Sequence, residues 1–285
     1  MIARALILWD SVEPSTNWIM QQLPLVVRDA YKQMRSKMKS ASVLVSVLET
    51  EDSSEIDGRR YCDETVVQGG EEARQYRERP REGSTHLQDY DCQVVRQIYT
   101  FVVAGSCFAL GLRFAGTCDK SAAAAVFHCV LEFQTLRDAT DPASLVLCPE
   151  PQILETCLGC CAISLAIIQA GSGNLETLKL FKILRWRCDE KITFGSHLWI
   201  SMAIGLLFLG GGTCTLERTP EAIAALVAAF FPRFPITTTD NQYHLQALRH
   251  LYALAVKRRV IRFIDVNTGD VVPLPIEVCL LCVYF

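Results

Sequence analysis

The sequence has no excess of basic residues and no apolar run long enough to suggest a membrane span. Its 28 lysines and arginines are outnumbered by 31 aspartates and glutamates, which gives a formal charge of −3. Proteins that bind nucleic acid usually present a basic face, and an anionic membrane surface attracts clusters of cations. The longest apolar run, residues 198–212, is shorter than the roughly 20 residues of a transmembrane helix. We therefore expect neither nucleic acid nor a membrane as a partner.

The sequence also lacks the residue patterns of common metal and catalytic sites. Cys157, Cys160 and Cys161 form a cluster among the 13 cysteines, but no second Cys-x-x-Cys or histidine pair completes a zinc site. His244 and His250 are six residues apart, whereas a spacing of four places two histidines on one helical face. No Gly-x-Ser-x-Gly motif is present. These absences predict a protein that is not an enzyme, uses no cofactor or metal and binds no small-molecule ligand.

The cysteines and the N-terminal stretch indicate an intracellular, reducing compartment. Many of the cysteines lie within apolar runs, which is typical of reduced thiols that pack as small hydrophobic residues. The first residues, MIARALILWD, differ from a secretory signal peptide because Asp10 and Glu13 follow a short apolar run. We expect buried thiols rather than a disulfide framework.

Changes in composition divide the chain. Residues 1–39 carry two short helical patterns. Residues 40–92 become polar, mix both signs of charge and contain too few apolar side chains to offset the entropy of ordering. Residues 93–257 contain long apolar patterns of helical period without strand-like alternation. We predict an all-α protein with partial helices, a flexible insertion and a larger helical region in that order.

Three segments of the helical region share one pattern. They are VVAGSCFALGLRFAGT (102–117), LGCCAISLAIIQAGSGN (158–174) and HLWISMAIGLLFLGGGT (197–213). A second helical pattern follows each of them, as KSAAAAVFHCVLEF, LETLKLFKILRW and TPEAIAALVAAFFP. Asn174 and Thr219 are suitable caps for the second and third of these helices. The repeated unit is therefore helix, glycine turn, helix, and such units stack into solenoids.

Recurring glycines predict how each unit turns. Gly116, Gly171 and Gly210 lie where the first helix ends, a position of positive φ that glycine adopts at low cost. Gly111 and Gly205 lie inside helices, where glycine costs about 0.5–1 kcal/mol relative to alanine. We expect close helix packing at those two positions. The stretch IGLLFLGGG is accordingly a buried helix that ends at a glycine, since a phosphate loop needs a preceding strand and a lysine.

These units resemble proteasome/cyclosome repeats. Such repeats occur in two large non-ATPase subunits of the proteasome regulatory particle and in the largest scaffold subunit of the anaphase-promoting complex. The stretches MIARALILWD (1–10), GLLFLGGGTCTLERTPEAIAAL (205–226) and FPITTTDNQYHLQALRHLYALA (234–255) are most similar to the second family. The resemblance covers residues 1–20 and 94–256. It implies an α-solenoid or toroid, the start of a β-rich C-terminal region over residues 258–285, and a segment of a much longer polypeptide.

The same resemblance implies a function. It is that of a non-catalytic scaffold in a cullin-RING-type ubiquitin ligase that controls the metaphase–anaphase transition and mitotic exit, in nucleus and cytoplasm. The implied partners are other subunits of the anaphase-promoting complex. Within the most characteristic stretch we expect Asp240 to cap a helix. The candidates for a subunit contact are Asp240, Tyr243, His244, Arg249 and His250.

Three alternatives remain open at this point. A subunit of the proteasome regulatory particle that binds ubiquitin-like modules is the alternative within the same repeat class. Residues 234–255 separate the two, because we do not expect that stretch in the proteasome subunits. A small helical membrane protein and a helical enzyme with a polar, titratable pocket are the alternatives from other classes.

Overall fold

The fold is known from a computed structural model that describes residues 1–36, 92–240, 243–259 and 263–272. These residues are mostly helical, which confirms the all-α prediction. The flexible insertion predicted at 40–92 lies outside this range except for Cys92, which begins a helix.

Helices dominate the described residues, and two short strands join them. The helices are α1 (Ile2–Ile7), α2 (Thr16–Gln21), α3 (25–36), α4 (Cys92–Arg113), α5 (Lys120–Asp138), α6 (Pro142–Leu145), α7 (Pro151–Ile168), α8 (Leu175–Arg185), α9 (Phe194–Leu207), α10 (Pro220–Phe230) and α11 (Tyr243–Gln246). Segments of 3-10 helix cover Trp9–Ser11, Leu209–Gly212 and Ala247–Ala255. The strands β1 (Cys214–Leu216) and β2 (Val256–Arg258) pair antiparallel.

Side chains at the helix starts explain where several helices begin. The side chains of Asp119, Asn174 and Thr219 each accept a hydrogen bond from a backbone N–H in the first turn of α5, α8 and α10. Thr193 and Ser196 form a reciprocal capping box at the start of α9. These bonds satisfy donors that a helix start would otherwise leave unpaired. The caps predicted at Asn174 and Thr219 are confirmed.

The long apolar helices lie side by side in one layer. In that layer α7 packs between α4 and α9. A second layer covers it, with α5 against α4 and α7, and α8 against α9. The N-terminal helices extend both layers, because α1 packs on α4 and α2 contacts α4 and α5. Most of α7 is consequently enclosed, which explains its almost unbroken apolar sequence.

The third unit departs from the predicted pattern. The sequence predicts α10 as the second helix of that unit, equivalent to α5 and α8. Instead its main packing partner is the 3-10 helix Ala247–Ala255, and it also contacts α4. The reason is that β1 carries the chain from the third glycine turn back across the first two, so α10 begins near α4.

Three helical segments of the described chain are long and apolar enough to cross a membrane, judged by length and composition alone. They are Cys92–Arg113, Pro151–Ile168 and Phe194–Gly212, and 61%, 78% and 39% of their apolar windows is buried within the protein. The apolar run identified from the sequence, residues 198–212, therefore underestimates the length of the third segment. The interior of the protein accounts for most of the apolar surface of the first two segments. The third keeps an exposed face that includes Ser201 and Gly205, so the prediction of a helix buried on nearly all sides is wrong there.

Candidate functional site

The glycine turns connect neighbouring units through backbone hydrogen bonds. Gly116 ends α4 with a φ of +66°. Its N–H donates to the carbonyl of Ile167 at 2.9 Å, and the N–H of Cys118 donates to the carbonyl of Ile168 at 3.0 Å. Both acceptors lie at the end of α7, where helical carbonyls have no partner within the helix. The turn of the first unit thus caps the first helix of the second.

The same arrangement recurs one unit further along. Gly171, with a φ of +71°, ends the turn after α7. Its N–H donates to the carbonyl of Leu206 and that of Gly173 donates to the carbonyl of Leu207, both at 2.9 Å. In each case the donors are a turn glycine and the residue two positions later, and the acceptors lie four and three residues before the next turn glycine. The units therefore stack in one repeated hydrogen-bond register.

Strand β1 crosses these turns and explains why they contain glycine. The Thr215 hydroxyl donates to the carbonyl of Gly116 at 2.8 Å. A Cβ added to Gly116 would overlap that hydroxyl oxygen, and one added to Gly171 would overlap the carbonyl oxygen of Cys214. A side chain at either position would push the strand away. Gly210 has a φ of +59° and borders the side chain of Cys214.

The two glycines predicted inside helices differ from each other. A Cβ on Gly111 would lie 3.0 Å from the Cα of Ser164, so the backbones of α4 and α7 approach closely there. A Cβ on Gly205 would meet no atom of the described chain within 4 Å. The expectation of close packing at Gly205 is therefore wrong, because this residue faces the open side of α9.

Arg249 is a structural residue rather than an exposed contact. It is 7% exposed, and its guanidinium donates to the carbonyls of Ala229, Phe231 and Arg233 at 2.9, 2.7 and 2.6 Å. It also stacks on the ring of Phe234 at 4.5 Å. Burial lowers the pKa of Arg249 to about 10, which still leaves it charged at neutral pH. Its prediction as part of a contact surface is corrected: it holds the end of α10, where unpaired carbonyls favour a cation.

The other candidates from the same stretch lie before, within and after α11. The Asp240 carboxylate accepts from the N–H of Ile236 at 2.9 Å, within the turn that precedes α11. His250 is exposed beside Arg249. Tyr243 and His244 begin α11, and their side chains lie outside the described part of the structure. Asp240 therefore bonds within its own turn, whereas Arg249 holds the end of α10.

A buried network of charges joins several helices and was missed by the sequence reasoning. Glu155, in the first turns of α7, accepts from Arg137 at the end of α5 at 2.9 Å and from Arg187 just after α8 at 2.8 Å. The side chains are 3%, 5% and 9% exposed. Asp189 pairs with Arg137 at 2.6 Å. No local pattern marks these residues, because their spacing along the chain reflects tertiary packing alone.

The cysteines of the interior are free thiols, as predicted. Cys107, Cys129, Cys157, Cys160 and Cys161 are buried, and none of them forms a disulfide. Burial raises the pKa of Cys157 and of Cys161 to about 12. Since the thiolate is the reactive and metal-binding form, these thiols are inert at neutral pH. Among the described residues, no group of three or more histidines, cysteines or carboxylates has a geometry that could hold a metal ion.

The surface carries several apolar clefts. One of about 720 Å³ lies between α1 and α10 and is lined by apolar side chains with Arg218 at its edge. Another of about 880 Å³ lies between α5 and α8 and mixes Phe127 and Leu131 with Lys120 and His128. The first cleft is almost entirely apolar, whereas the second also has polar and titratable side chains in its lining. The composition of the first cleft suits contact with another protein segment better than acid–base chemistry.

Comparison with known proteins identifies relatives of this chain. The family model described as APC1 fifth domain matches residues 1–257. "Anaphase-promoting complex subunit 1" of Dictyostelium discoideum is 36% identical over 295 residues, covering 99% of this chain and 12% of the relative. The human protein of the same name is 35% identical and covers 94% of this chain and 11% of the relative. A protein named "Negative regulator of mitosis" from Emericella nidulans is 37% identical, covering 62% of this chain and 8% of the relative.

The chain spans about an eighth of the length of the first two relatives. The family resemblance read from the repeats and from residues 205–226 and 234–255 is confirmed. Because the family model covers 257 of the 285 residues, the chain belongs to the family of the APC1 fifth domain.

Proposed function

We propose that this chain is a non-catalytic scaffold segment of an anaphase-promoting complex. The observation that carries the proposal is the repeated register in which Gly116 and Gly171 each donate to the end of the next first-layer helix. A register that recurs fixes the rotation from one unit to the next. Units stacked in this way form an arc of an α-solenoid or toroid, whose extended faces suit the binding of several proteins.

The interior of the segment supports a mechanical role. The charge network around Glu155 and the carbonyl contacts of Arg249 both tie helices that are distant in sequence. Such contacts hold the surfaces of the segment in a fixed relative geometry. Transfer of ubiquitin would then be the task of other subunits, and this chain would position them.

The names of the relatives indicate the assembly. Several are called "Anaphase-promoting complex subunit 1", and one is called "Negative regulator of mitosis". We infer that the partners are other subunits of that complex, a cullin-RING-type ubiquitin ligase acting at the metaphase–anaphase transition and mitotic exit. We propose nucleus and cytoplasm as its location, with no part for nucleic acid, membrane or small-molecule ligand.

Affinity purification of the tagged full chain tests this proposal. Expressed in dividing cells, the wild-type chain should co-purify with several other subunits of the anaphase-promoting complex. The Gly171→Ala variant should recover them less well, because its new methyl group displaces β1. A matched control is Gly211→Ala, which has a similar φ but no neighbour within 4 Å among the described residues. A folded wild-type chain that recovers none of these subunits would contradict the proposal.

A second measurement addresses the absence of catalysis. The purified chain, mixed with ubiquitin, an activating enzyme, a conjugating enzyme and ATP, should form no ubiquitin conjugates above the level seen without it. Conjugates that depend on the chain would show that it takes part in transfer directly.

A further inference from the structure

The outer face of α8 carries a stripe of exposed side chains. Leu175, Lys179, Lys182 and Trp186 follow one another at spacings of four, three and four, which aligns them along one side of a helix. Trp186 is 79% exposed and Leu175 is 70% exposed. The opposite side of α8 is buried in the protein. The stripe therefore plays no part in holding α8 in place.

The charges on this face are unbalanced. Lys179, Lys182 and Arg185 are exposed, and none of them forms an ion pair with a described carboxylate. The acidic residue of the helix, Glu176, lies in its first turn, where a carboxylate is favoured by the helix dipole. Three cations on one short helix stand out in a chain whose net charge is −3. An electropositive face of this kind favours an acidic partner.

Large apolar side chains lie among these cations. Ile183 is 56% exposed and is one turn of the helix away from Trp186. Single exposed apolar residues are ordinary, but an exposed tryptophan with cations around it has the composition of binding hot spots. Leu175 also borders the cleft between α5 and α8, which Phe127 and Leu131 line. Leu175 thus lies between the stripe and the apolar side chains of that cleft.

We propose that this face of α8, defined by Leu175, Lys179, Lys182, Ile183, Arg185 and Trp186, docks an acidic amphipathic helix of a partner protein. Its carboxylates meet the three cations, and its apolar side packs on Trp186 and Ile183. The stripe runs from Leu175 to Trp186, and the 11 steps between them span about 16 Å at the helical rise, which matches three turns of a partner helix. The inference rests on the proposed function only in taking the partner to be a protein.

Nucleic acid is a poorer match to the same surface. Affinity for a phosphate backbone grows with the number of phosphates that cations neutralise, and this face offers only three. Leu175 and Ile183 gain nothing from phosphates, whereas both bury apolar area against an amphipathic helix.

Peptide binding tests the proposal directly. The probe is a fluorescein-labelled 16-residue synthetic helix with glutamates on one side and leucines on the other, titrated with the full chain by fluorescence anisotropy. We expect saturable binding that weakens as salt is added, because exposed charges are screened. A twin peptide with lysine in place of glutamate should bind at least tenfold more weakly. An oligouridine of similar length tests for nucleic acid.

Variants locate the binding on α8. Lys179→Glu combined with Lys182→Glu should weaken peptide binding at least tenfold, and Trp186→Ala at least fivefold. The matched control is Arg4→Glu combined with Lys32→Glu, which makes the same change of charge at exposed residues of α1 and α3 and should stay within twofold of wild type. Circular dichroism of each variant establishes that its helices are intact, since these side chains are exposed.

Three results would overturn the proposal: equal binding by wild type and the α8 double variant, an equal loss in the control, or tighter lysine-dependent binding of oligouridine. Co-purification with complex subunits is measured separately. A wild-type chain that binds no acidic peptide but still co-purifies with the subunits would remove this docking face and leave the scaffold proposal standing.

Discussion

The role of a glycine in this protein depends on which atoms lie where its side chain would be. Gly111 opens onto the backbone of α7, with 3.0 Å between a hypothetical Cβ and the Cα of Ser164. A Cβ on Gly205 would have no described atom within 4 Å. Gly171 combines a left-handed φ with the carbonyl of Cys214 above it. The same residue type therefore allows close packing at one position, costs stability at the next and permits a turn at the third.

Replacement of Gly205 by alanine should stabilise the protein. Alanine loses less backbone entropy than glycine in a helix, which is worth about 0.5–1 kcal/mol, and the new methyl group meets no described atom within 4 Å. The free energy of unfolding, measured by urea denaturation, should rise by that amount. Gly111→Ala is the control, and its free energy of unfolding should fall by about 1–3 kcal/mol because the added methyl group overpacks the contact with α7. A Gly205→Ala variant less stable than wild type would show that this face of α9 is covered.

Alanine at Gly171 should cost more than alanine at Gly211. Both residues have a φ near +60° to +70°, so both variants incur about 1–2 kcal/mol of left-handed strain. Only Gly171 also meets a neighbour, the carbonyl of Cys214. Thermal unfolding should therefore show a clearly lower Tm for Gly171→Ala than for Gly211→Ala. Equal Tm values would mean that β1 can move away from the turn without cost.

Local sequence predicted some of these residues well and others poorly. Gly116 and Gly171 could be predicted from the sequence, because glycine is the typical residue where a helix ends with a left-handed φ. Gly205 was misjudged, since its neighbours in sequence match those of Gly111 while its neighbours in space do not. Arg249 was named as a candidate subunit contact for the same reason, because its partners are carbonyls 16 to 20 residues away that local sequence does not reveal.

At the scale of single elements, α10 shows how a repeat can be misread. Its sequence, with Thr219 as cap and Pro220 in the first turn, has the same form as the second helix of a unit. Its position is set by β1, which returns across the turns at Gly116 and Gly171. A three-residue strand carries almost no periodic signal, so the sequence could predict the helix but not the layer in which it lies.

The anchoring of α10 depends on Arg249. Arg249→Met keeps most of the side-chain volume and removes the donors to the carbonyls of Ala229, Phe231 and Arg233. Hydrogen bonds to charged groups contribute about 1.5–3 kcal/mol, and we expect the free energy of unfolding to fall by at least about 2 kcal/mol. The exposed Arg233→Met should change it by less than about 0.5 kcal/mol. Amide hydrogen exchange should quicken first at residues 226–233; unchanged exchange there would refute the anchoring role.

At the scale of the whole molecule, one carboxylate links three of the stacked elements. Glu155 of α7 binds both Arg137 of α5 and Arg187 beyond α8. All three side chains are nearly inaccessible to water. Burial lowers the pKa of Arg137, but its bonds to Asp189, Glu155 and Asp138 outweigh that effect and raise it, so the guanidinium stays charged. The network favours one packing of the units, because a shifted unit would leave a buried charge without its partner.

Glu155→Gln should therefore be strongly destabilising. The variant retains the shape of the side chain but leaves two buried guanidinium groups without their shared counter-charge, and breaking a buried pair costs about 3–5 kcal/mol. Denaturant unfolding of the full chain measures the loss. Glu190→Gln removes the same charge from an exposed position nearby and should have little effect. Similar losses in both variants would indicate a general effect of net charge rather than this network.

Acid should weaken the same network through Asp189. The guanidinium of Arg137 donates to this carboxylate and lowers the pKa of Asp189 below its usual value. The stabilisation is therefore complete above the unfolded-state pKa of about 3.9 and is lost as the pH falls through the folded-state value. The free energy of unfolding of wild type should be higher than that of Asp189→Asn, and the difference should stay constant from pH 7 to about 5. That difference should shrink below about pH 4, whereas a difference unchanged at pH 3 would show that the pair contributes through packing instead of charge.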